Sequence, residues 1–251
     1  MSRKNPPNPY LAGTMAVFDT RQVGVVIPAL NEEKAIALVV RDALRFASRV
    51  IVVDNGSSDG TENAAREAGA VVLAEQRRGY GYACRRGIEA LRDRPPAVVA
   101  FMDGDYSDCA EELPVLVDPI LRGQADFVLG SRVLGTSEDG ALTPQQMFGN
   151  RLATSLIRLF WHARFSDLGP FRAIAYDALI DMGELHPTFG WTVDMQIRAA
   201  RMGLRCMEIP VTYRRRIGTS KVSGTVSGSV KAGVLIMTTI FRRLLERKKA
   251  N

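Results

Sequence analysis

Cysteine and histidine are scarce in this chain, which has three cysteines and two histidines among 251 residues. Cys84, Cys109 and Cys206 are far apart and form no Cys-x-x-Cys pair, so neither a zinc ribbon nor a disulfide framework is expected. His162 and His186 lie away from each other and from the cysteines in sequence, and we expect packing or surface roles for both. This cysteine usage favours a reducing cytoplasm.

Long apolar runs are also missing. Within the helical pattern at 226–245 the uncharged stretch covers only residues 232–241, whereas a helix that crosses a bilayer needs about 20 apolar residues. Residues 1–21 contain three prolines but no apolar segment of the signal-peptide type, and we expect a flexible lead-in there. The sequence therefore predicts a cytoplasmic protein that does not cross a membrane.

An excess of acidic residues is absent as well, since the net charge is +6. Much of the positive charge lies in the last third, at 214–216, 242–243 and 247–249. Such charge suits phosphate groups, nucleic acid or an anionic membrane. No RNA- or DNA-binding motif accompanies it, so a nucleic-acid partner is not expected. The 46% hydrophobic and 24% charged residues predict a globular protein with a substantial core.

What the chain does have is an alternation of short apolar runs and helical patterns. Strands are predicted at 23–27, 50–53, 71–73, 98–102, 127–129 and 206–211, and helices at 31–44, 62–67, 82–91, 111–121, 145–161, 193–202 and 226–245. This order predicts an α/β fold with a mainly parallel, Rossmann-like sheet and helices on both faces. Ligands bind such sheets at the carboxyl ends of the strands, where we expect Pro28, Asp54 and Asp103.

The fourth predicted strand ends in two carboxylates, Asp103 and Asp105, with Gly104 between them. Glycine permits a sharp backbone turn, so both side chains could converge on one cation. Carboxylate oxygens suit Mg²⁺ or Mn²⁺, which also bind the oxygens of a diphosphate. The triplet alone leaves a surface turn or a calcium loop open.

Several blocks of the sequence resemble one family. They are VVIPALNEE at 25–33, IVVDNGSSDGT at 51–61, MDGD at 102–105, FVLGSR at 127–132, GNR at 149–151, SDLGPFR at 166–172, VDMQIRA at 193–199 and EIPVTYRRRIGTSK at 208–221. Together they resemble family 2 glycosyltransferases of the GT-A fold, and the later blocks look like dolichol-phosphate mannose synthases and related polyprenyl-phosphate glycosyltransferases. Asn55 departs from the pattern, because many members carry an acid there.

The resemblance implies a division of the chain. A GT-A domain would cover residues 22–224, with the donor half at about 22–132 and the acceptor half at about 133–224. Residues 225–251 would form a separate basic, amphipathic helix. Some relatives continue into a long transmembrane tail, which is absent from this sequence.

For the donor, the resemblance implies a nucleotide sugar, either a UDP- or a GDP-hexose. The residues carried over are Pro28, Ala29, Asn31, Glu32, Asp54, Gly79, Asp103, Gly104 and Asp105. Glu32 would accept hydrogen bonds from ribose hydroxyls and Asp54 from the base, while Asn31 would also cap the helix that it opens. Asp103 and Asp105 would bind Mg²⁺ or Mn²⁺, which stabilises the charge on the departing diphosphate.

The resemblance also implies a phosphate acceptor, held by Arg132, Arg151, Arg172, Arg216 and Lys221. Arginine binds phosphate through two parallel hydrogen bonds. A phosphate monoester is largely a dianion at neutral pH and is already nucleophilic. Arg132 and Arg216 are therefore predicted to be catalytic together with Asp105. Asp194 is a further catalytic candidate that would orient a substrate, or act as a base for a hydroxyl acceptor, unless it is only a packing acid.

The sequence thus predicts a metal-dependent, inverting glycosyltransferase that moves a hexose onto a polyprenyl phosphate at the inner membrane surface. The helix at 226–245 would lie on an anionic leaflet, or else dock on the domain, on a second copy or on a membrane-protein partner. One alternative is a GT-A enzyme for a sugar hydroxyl or a small soluble acceptor. Another is a non-catalytic subunit that binds nucleotide sugars.

Overall fold

The computed structural model describes residues 19–218 and 226–250, except for the side chains of 226–232 and 247–250. In this part of the chain seven strands form one sheet: β1 Val23–Ala29, β2 Arg49–Asp54, β3 Val71–Ala74, β4 Val98–Phe101, β5 Phe127–Ser137, β6 Arg172–Ala175 and β7 Cys206–Tyr213. Their order across the sheet is β3-β2-β1-β4-β6-β5-β7. Only β6 is antiparallel to its neighbours, which confirms the predicted α/β class and mainly parallel sheet.

Eight α-helices are described: α1 Ile36–Ala43, α2 Thr61–Glu67, α3 Tyr80–Glu89, α4 Leu113–Leu121, α5 Pro144–Trp161, α6 Tyr176–Asp181, α7 Trp191–Arg201 and α8 Val226–Ala250. The start of α5 follows from its sequence, because Thr143 and Gln146 form a capping box. The predicted start of α1 at Asn31 is wrong. Asn31 has a φ of 54°, in the left-handed region that a right-handed helix excludes, and α1 begins at Ile36.

The helices cover both faces of the sheet, as alternation along the strands requires. In β1, Val25 and Ile27 pack into the core beneath α1 and α4, whereas Val26 points into the core formed with α3 and α7. Pro28 was predicted to end this strand, but the strand continues to Ala29. Beyond Val26, where the pairing of β1 with β4 ends, β1 pairs only with β2.

Two elements were not predicted, β6 and α6. The strand β6 has only four residues, which is too short for an alternation of apolar and polar side chains to identify it in the sequence. Being antiparallel, β6 brings its amino end, at Arg172, to the edge where the parallel strands have their carboxyl ends. The sheet therefore presents residues from β1, β2, β4, β5 and β6 along one edge.

The last helix, α8, packs against α5 and α7 through Ile236, Met237 and Ile240. The other side of α8 leaves Val234, Phe241 and Leu245 exposed. None of the helices in the described residues has the length and apolarity that a membrane crossing requires. The predicted division at 21, 132 and 224 stays a prediction, since residues 1–18 and 219–225 lie outside the described residues.

Candidate active site

Three carboxylates gather just beyond the end of β4. Asp103 and Asp105 were predicted, and Asp108 was not: its carboxylate accepts a hydrogen bond from the Asp103 backbone N–H at 2.9 Å. The Asp105 carboxylate accepts one from the Ser107 N–H at 3.0 Å. Gly104 has no positive φ, and the left-handed residue of this turn is Tyr106, at 67°. Gly104 is instead favoured by close packing, because an added Cβ would lie 3.3 Å from the Ile36 side chain.

The carboxylates of this cluster influence one another's pKa values. Burial and the negative charge of Asp105 together raise the pKa of Asp103 to about 7, against the opposing effect of Arg216 and Arg132. Burial and the charge of Asp103 hold the pKa of Asp108 well above its usual range. Asp103 is only partly buried. The site concentrates negative charge that a cation would neutralise.

The donor set at this edge suits a hard divalent ion. In the described ranges no group of three histidine, cysteine, aspartate or glutamate side chains is arranged to hold a metal by itself. Mg²⁺ is usually bound by only one or two protein carboxylates and completes its shell with substrate phosphates and water. Asp103 and Asp105 fit that pattern when a diphosphate is present.

Arg216 lies against Asp105 of this cluster and against Glu32. Its Nη2 lies 3.1 Å from Asp105 Oδ2 and 3.0 Å from Glu32 Oε1. The Ile217 N–H donates to the Asp105 backbone carbonyl at 2.9 Å. The Nε of Arg216 is buried and has no hydrogen-bond partner among the described atoms, although the side chain as a whole is 30% exposed. Two residues predicted for the donor and one predicted for the acceptor thus meet at one point.

The predicted nucleotide residues of β1 and β2 also come together. Ala29 and Asp54 are paired across the two strands, and Pro28 precedes them in the same register. Asp54 accepts from the Ser57 N–H at 3.2 Å. The Asn31 side chain accepts from the Ser58 N–H at 2.8 Å, so Asn31 joins the two loops and does not cap α1. The loops that follow β1 and β2 are therefore bonded to each other.

Asn55 organises the glycine loop that precedes α3. Its Nδ2 donates to the carbonyls of Glu75 and Arg77 at 3.0 and 2.8 Å, and its Oδ1 accepts from the Gly79 N–H at 2.8 Å. A carboxylate could not donate to those carbonyls, so the departure at Asn55 has a structural role that the sequence marked but did not explain. Gly79 has a φ of 149°, which favours glycine.

Arg132 is held by an acid that was missed. Its Nε and Nη2 lie 2.8 Å from the two carboxylate oxygens of Asp167, which also accepts from the Arg132 N–H at 2.9 Å. Burial opposes the charge on Asp167, but its bonds to Arg132 outweigh burial and lower its pKa. On α5, Asn150 bonds to the backbone of Ser166 and Leu168 on either side of Asp167. The GNR and SDLG blocks therefore form one unit around Arg132.

The remaining predicted phosphate ligands separate in space. Arg151 is exposed on α5, next to Asn150. Arg172 is completely buried, donates to the carbonyls of Leu168, Gly169 and Thr192, and has its pKa lowered to about 10 by burial. A phosphate cannot reach a guanidinium in this position, so the direct acceptor contact predicted for Arg172 is corrected to support of the Leu168–Gly169 turn. Lys221 lies outside the described residues.

Asp194 is likewise enclosed by the protein. It is completely buried, and its carboxylate is bound by Arg243 of α8 at 2.6 and 2.8 Å and by the His186 N–H at 2.8 Å. A base must be within reach of the proton that it accepts. The prediction that Asp194 acts as a base or orients a substrate directly therefore does not fit this placement, whereas the packing alternative does.

The comparisons with known proteins agree with this geometry. The model of the family described as "Glycosyl transferase family 2" matches residues 24–182. The chain belongs to glycosyl transferase family 2. This glycosyltransferase is 36% identical over 213 residues to an uncharacterized glycosyltransferase of Mycobacterium bovis, covering 84% of the chain and 94% of that protein.

Two relatives of this glycosyltransferase have named activities. An undecaprenyl-phosphate mannosyltransferase of Micrococcus luteus is 34% identical, over 85% of the chain and 92% of the relative. A dolichyl-phosphate hexose transferase of Haloferax volcanii is 30% identical, over 92% of the chain and 99% of the relative.

A solved structure shows the same fold. It is glucosyl-3-phosphoglycerate synthase from Mycobacterium tuberculosis in complex with Mn²⁺, uridine diphosphate and glucosyl-3-phosphoglycerate. The TM-score is 0.72 at 23% identity, with 97% of this chain and 86% of that chain covered. The predicted family and the GT-A fold are confirmed, and the chain is a glycosyltransferase.

Proposed function

We propose that this glycosyltransferase moves a hexose from a nucleoside-diphosphate sugar to the phosphate of a polyprenyl lipid at a membrane surface. The main support for this proposal is an exposed apolar stripe on α5 beside Arg151. Phe148, Leu152 and Leu159 lie at helical spacing on one side of α5, and Phe148 and Leu159 are 71% and 64% exposed. A phosphate ligand next to an apolar surface suits an acceptor that is itself amphiphilic.

The surface extends beyond α5. Val133 and Leu134 follow Arg132 on β5 and are more than half exposed. The stripe of Val234, Phe241 and Leu245 belongs to α8, which packs beside α5. We call these residues of β5, α5 and α8 the apolar surface. Exposed apolar patches of this kind mark interaction sites, and basic residues next to them favour an anionic leaflet. A peripheral position on the membrane follows from the proposal.

The chemistry would run between the carboxylate cluster and the arginines. Asp103 and Asp105 would hold a divalent ion, which when bound neutralises the charge that develops on the diphosphate leaving group. Arg216, with its unpartnered Nε, and Arg151 would bind the acceptor phosphate, while Arg132 borders the site from its pair with Asp167. The phosphate oxygen would attack C1 from the side opposite the diphosphate, so the configuration at C1 inverts.

The relatives support this proposal, since two of them carry polyprenyl-phosphate sugar transfer in their names. The GT-A neighbour binds Mn²⁺ and uridine diphosphate, which supports a divalent ion and a nucleotide-sugar donor. Its bound product is a glucosyl derivative of a small phosphorylated acid, so that acceptor class is the appropriate comparison. The assay below compares uracil and guanine as the base of the donor.

The test uses the full chain with Mn²⁺, labelled UDP-glucose or GDP-mannose, and either undecaprenyl phosphate in anionic vesicles or 3-phosphoglycerate in solution. We expect label in the organic-extractable fraction with the lipid, and none with Asp105→Ala. Transfer only to the water-soluble acceptor would reject the lipid proposal.

A surface variant separates lipid access from catalysis. Phe148→Glu should reduce transfer to vesicle-bound lipid about tenfold, because it places a charge in the apolar surface, and should leave Mn²⁺ and nucleotide binding unchanged. Ile180→Glu, at an exposed apolar residue of α6, is the matched control and should transfer normally. Equal activity of both variants would show that the apolar surface does not contact the membrane.

A further inference from the structure

The C-terminal helix is tied to the catalytic domain by a buried ion pair. Arg243 of α8 binds both carboxylate oxygens of Asp194, with Nε to Oδ1 at 2.6 Å and Nη2 to Oδ2 at 2.8 Å. The Arg243 side chain is only 12% exposed and Asp194 is fully buried. Bidentate pairs of this kind fix the relative position of two elements more firmly than a surface pair. Asp194 therefore anchors α8 and is not available to a substrate.

The same contact reaches the segment 186–190, which precedes α7. Asp194 Oδ2 also accepts from the His186 N–H at 2.8 Å. At the other end of the segment, α8 packs so closely on Gly190 that an added Cβ would lie 2.3 Å from the Thr239 hydroxyl. The segment is thus held at one end by Asp194, the partner of Arg243, and at the other end directly by α8.

The segment in turn packs against the glycine loop of the donor site. The Tyr82 N–H donates to the Pro187 carbonyl at 2.9 Å. An added Cβ at Gly79 would lie 2.7 Å from the Pro187 carbonyl, and one at Gly81 would lie 2.1 Å from the His186 carbonyl. Through Gly79, this loop is bonded to Asn55, which follows Asp54 directly. A chain of contacts therefore links α8, through segment 186–190 and the glycine loop, to Asn55 at the carboxyl end of β2.

We propose that Arg243 is a positioning residue for the nucleotide-sugar site: through Asp194 it sets segment 186–190 against the glycine loop, so that loosening α8 weakens donor binding. A cavity of about 340 Å³ borders this path and is lined by Tyr82, His186, Pro187, Thr239 and Arg243 among others. The cavity gives the segment room to shift when the pair opens. The inference rests on the proposed nucleotide-sugar donor, but not on the lipid acceptor.

Two neighbouring groups make the inference testable without destroying the fold. Arg198 Nε lies 3.7 Å from Asp194 Oδ1, so the buried carboxylate keeps a cation nearby when Arg243 is replaced. Arg242 is the next residue on α8, is 68% exposed and pairs with Glu246 in the described part of the chain. Arg242→Ala removes the same charge from the same helix without touching Asp194.

The experiment measures UDP and GDP binding with Mn²⁺ by calorimetry, and the donor KM and kcat, for Arg243→Ala, Arg243→Lys and Arg242→Ala. All measurements are made on the full chain, about 15 °C below each variant's own Tm. We expect Arg243→Ala to raise the nucleotide Kd and the donor KM about fivefold or more with kcat within about twofold, and Arg242→Ala to match the wild type. Arg243→Lys, which keeps the charge but not the fork, should fall between them.

A double-mutant cycle tests whether Arg243 acts on nucleotide binding through Asp194. In an Asp194→Asn background, Arg243→Ala should add less than about a twofold further loss, because the pair is already broken. A lower Tm for Arg243→Ala with an unchanged Kd and KM would overturn the inference, as would fully additive effects in the cycle. If the wild type binds nucleotide but transfers nothing to lipid, only the lipid proposal fails. If it binds no nucleoside diphosphate, both proposals fail.

Discussion

The proton on Asp103 should make the stability of the metal-free protein fall as pH rises. Its folded pKa is about 7, because burial and the Asp105 charge oppose ionisation. An unfolded aspartate has a pKa near 3.9. Between these values the folded state binds more protons than the unfolded state, so the stability that this group contributes is present at low pH and is lost as pH rises through about 7.

The size of the effect follows from the two pKa values. Between pH 5 and pH 8 this carboxyl should reduce the free energy of unfolding by on the order of 2 to 3 kcal/mol. Asp103→Asn removes the titration, so the variant should gain that much relative to the wild type across the same range. Mn²⁺ should reverse the loss in the wild type at pH 8 more than at pH 6, since a ligand carboxylate must be deprotonated and the ionised fraction rises about tenfold.

The assay is urea unfolding of both chains at pH 5, 6, 7 and 8 in chelator-treated buffer, repeated with Mn²⁺. The difference between the variant and the wild type reports Asp103 together with its charge coupling to Asp108, whose pKa is raised by burial and by the Asp103 charge. Parallel stability curves for the two chains, or a Mn²⁺ stabilisation that is equal at pH 6 and pH 8, would refute the reasoning.

Three further predictions follow from particular contacts. Asp167→Ala should cost about 3 to 5 kcal/mol in urea unfolding, because it leaves Arg132 buried without its partner, whereas breaking the surface pair of Asp118 with Arg122 should cost under about 1 kcal/mol. Gly81→Ala should lower stability by at least about 2 kcal/mol through its clash with the His186 carbonyl, whereas Gly149→Ala, with open space around it, should not; equal Tm values would contradict this packing. Asn55→Asp should cost about 1 to 3 kcal/mol and weaken nucleotide binding, since the carbonyls of Glu75 and Arg77 lose their donor, and unchanged calorimetry would argue against that role.

The sequence predicted the parts of the site that depend on strand ends. Asp54 and Asp103 lie at one edge because parallel strands share the direction in which they finish, and this direction could be inferred from the alternation of strands and helices. The prediction that α1 begins at Asn31 was wrong for a local reason. Asparagine favours helix caps, but it also tolerates the left-handed conformation that Asn31 adopts.

The errors on the acceptor side have a different origin. Arg172 and Arg151 occupy equally clear motifs, yet one is buried under the sheet edge and the other is exposed on α5. The difference is set by the antiparallel strand β6, which no periodicity revealed. The pairs Arg132 with Asp167 and Asp194 with Arg243 join residues 35 and 49 positions apart, and spacing in the sequence carries no signal for such contacts.

The contact of Arg216 with both Asp105 and Glu32 has a consequence for the kinetic order of the reaction. In the structure the guanidinium neutralises two acids, Asp105 and Glu32. Under the proposed function a cation and the ribose of the donor would engage these acids, so that arrival of the donor would displace Arg216 and free it for the acceptor phosphate. We therefore expect a sequential scheme in which the donor binds first and the acceptor second, with the nucleotide leaving last as Arg216 returns to its resting partners.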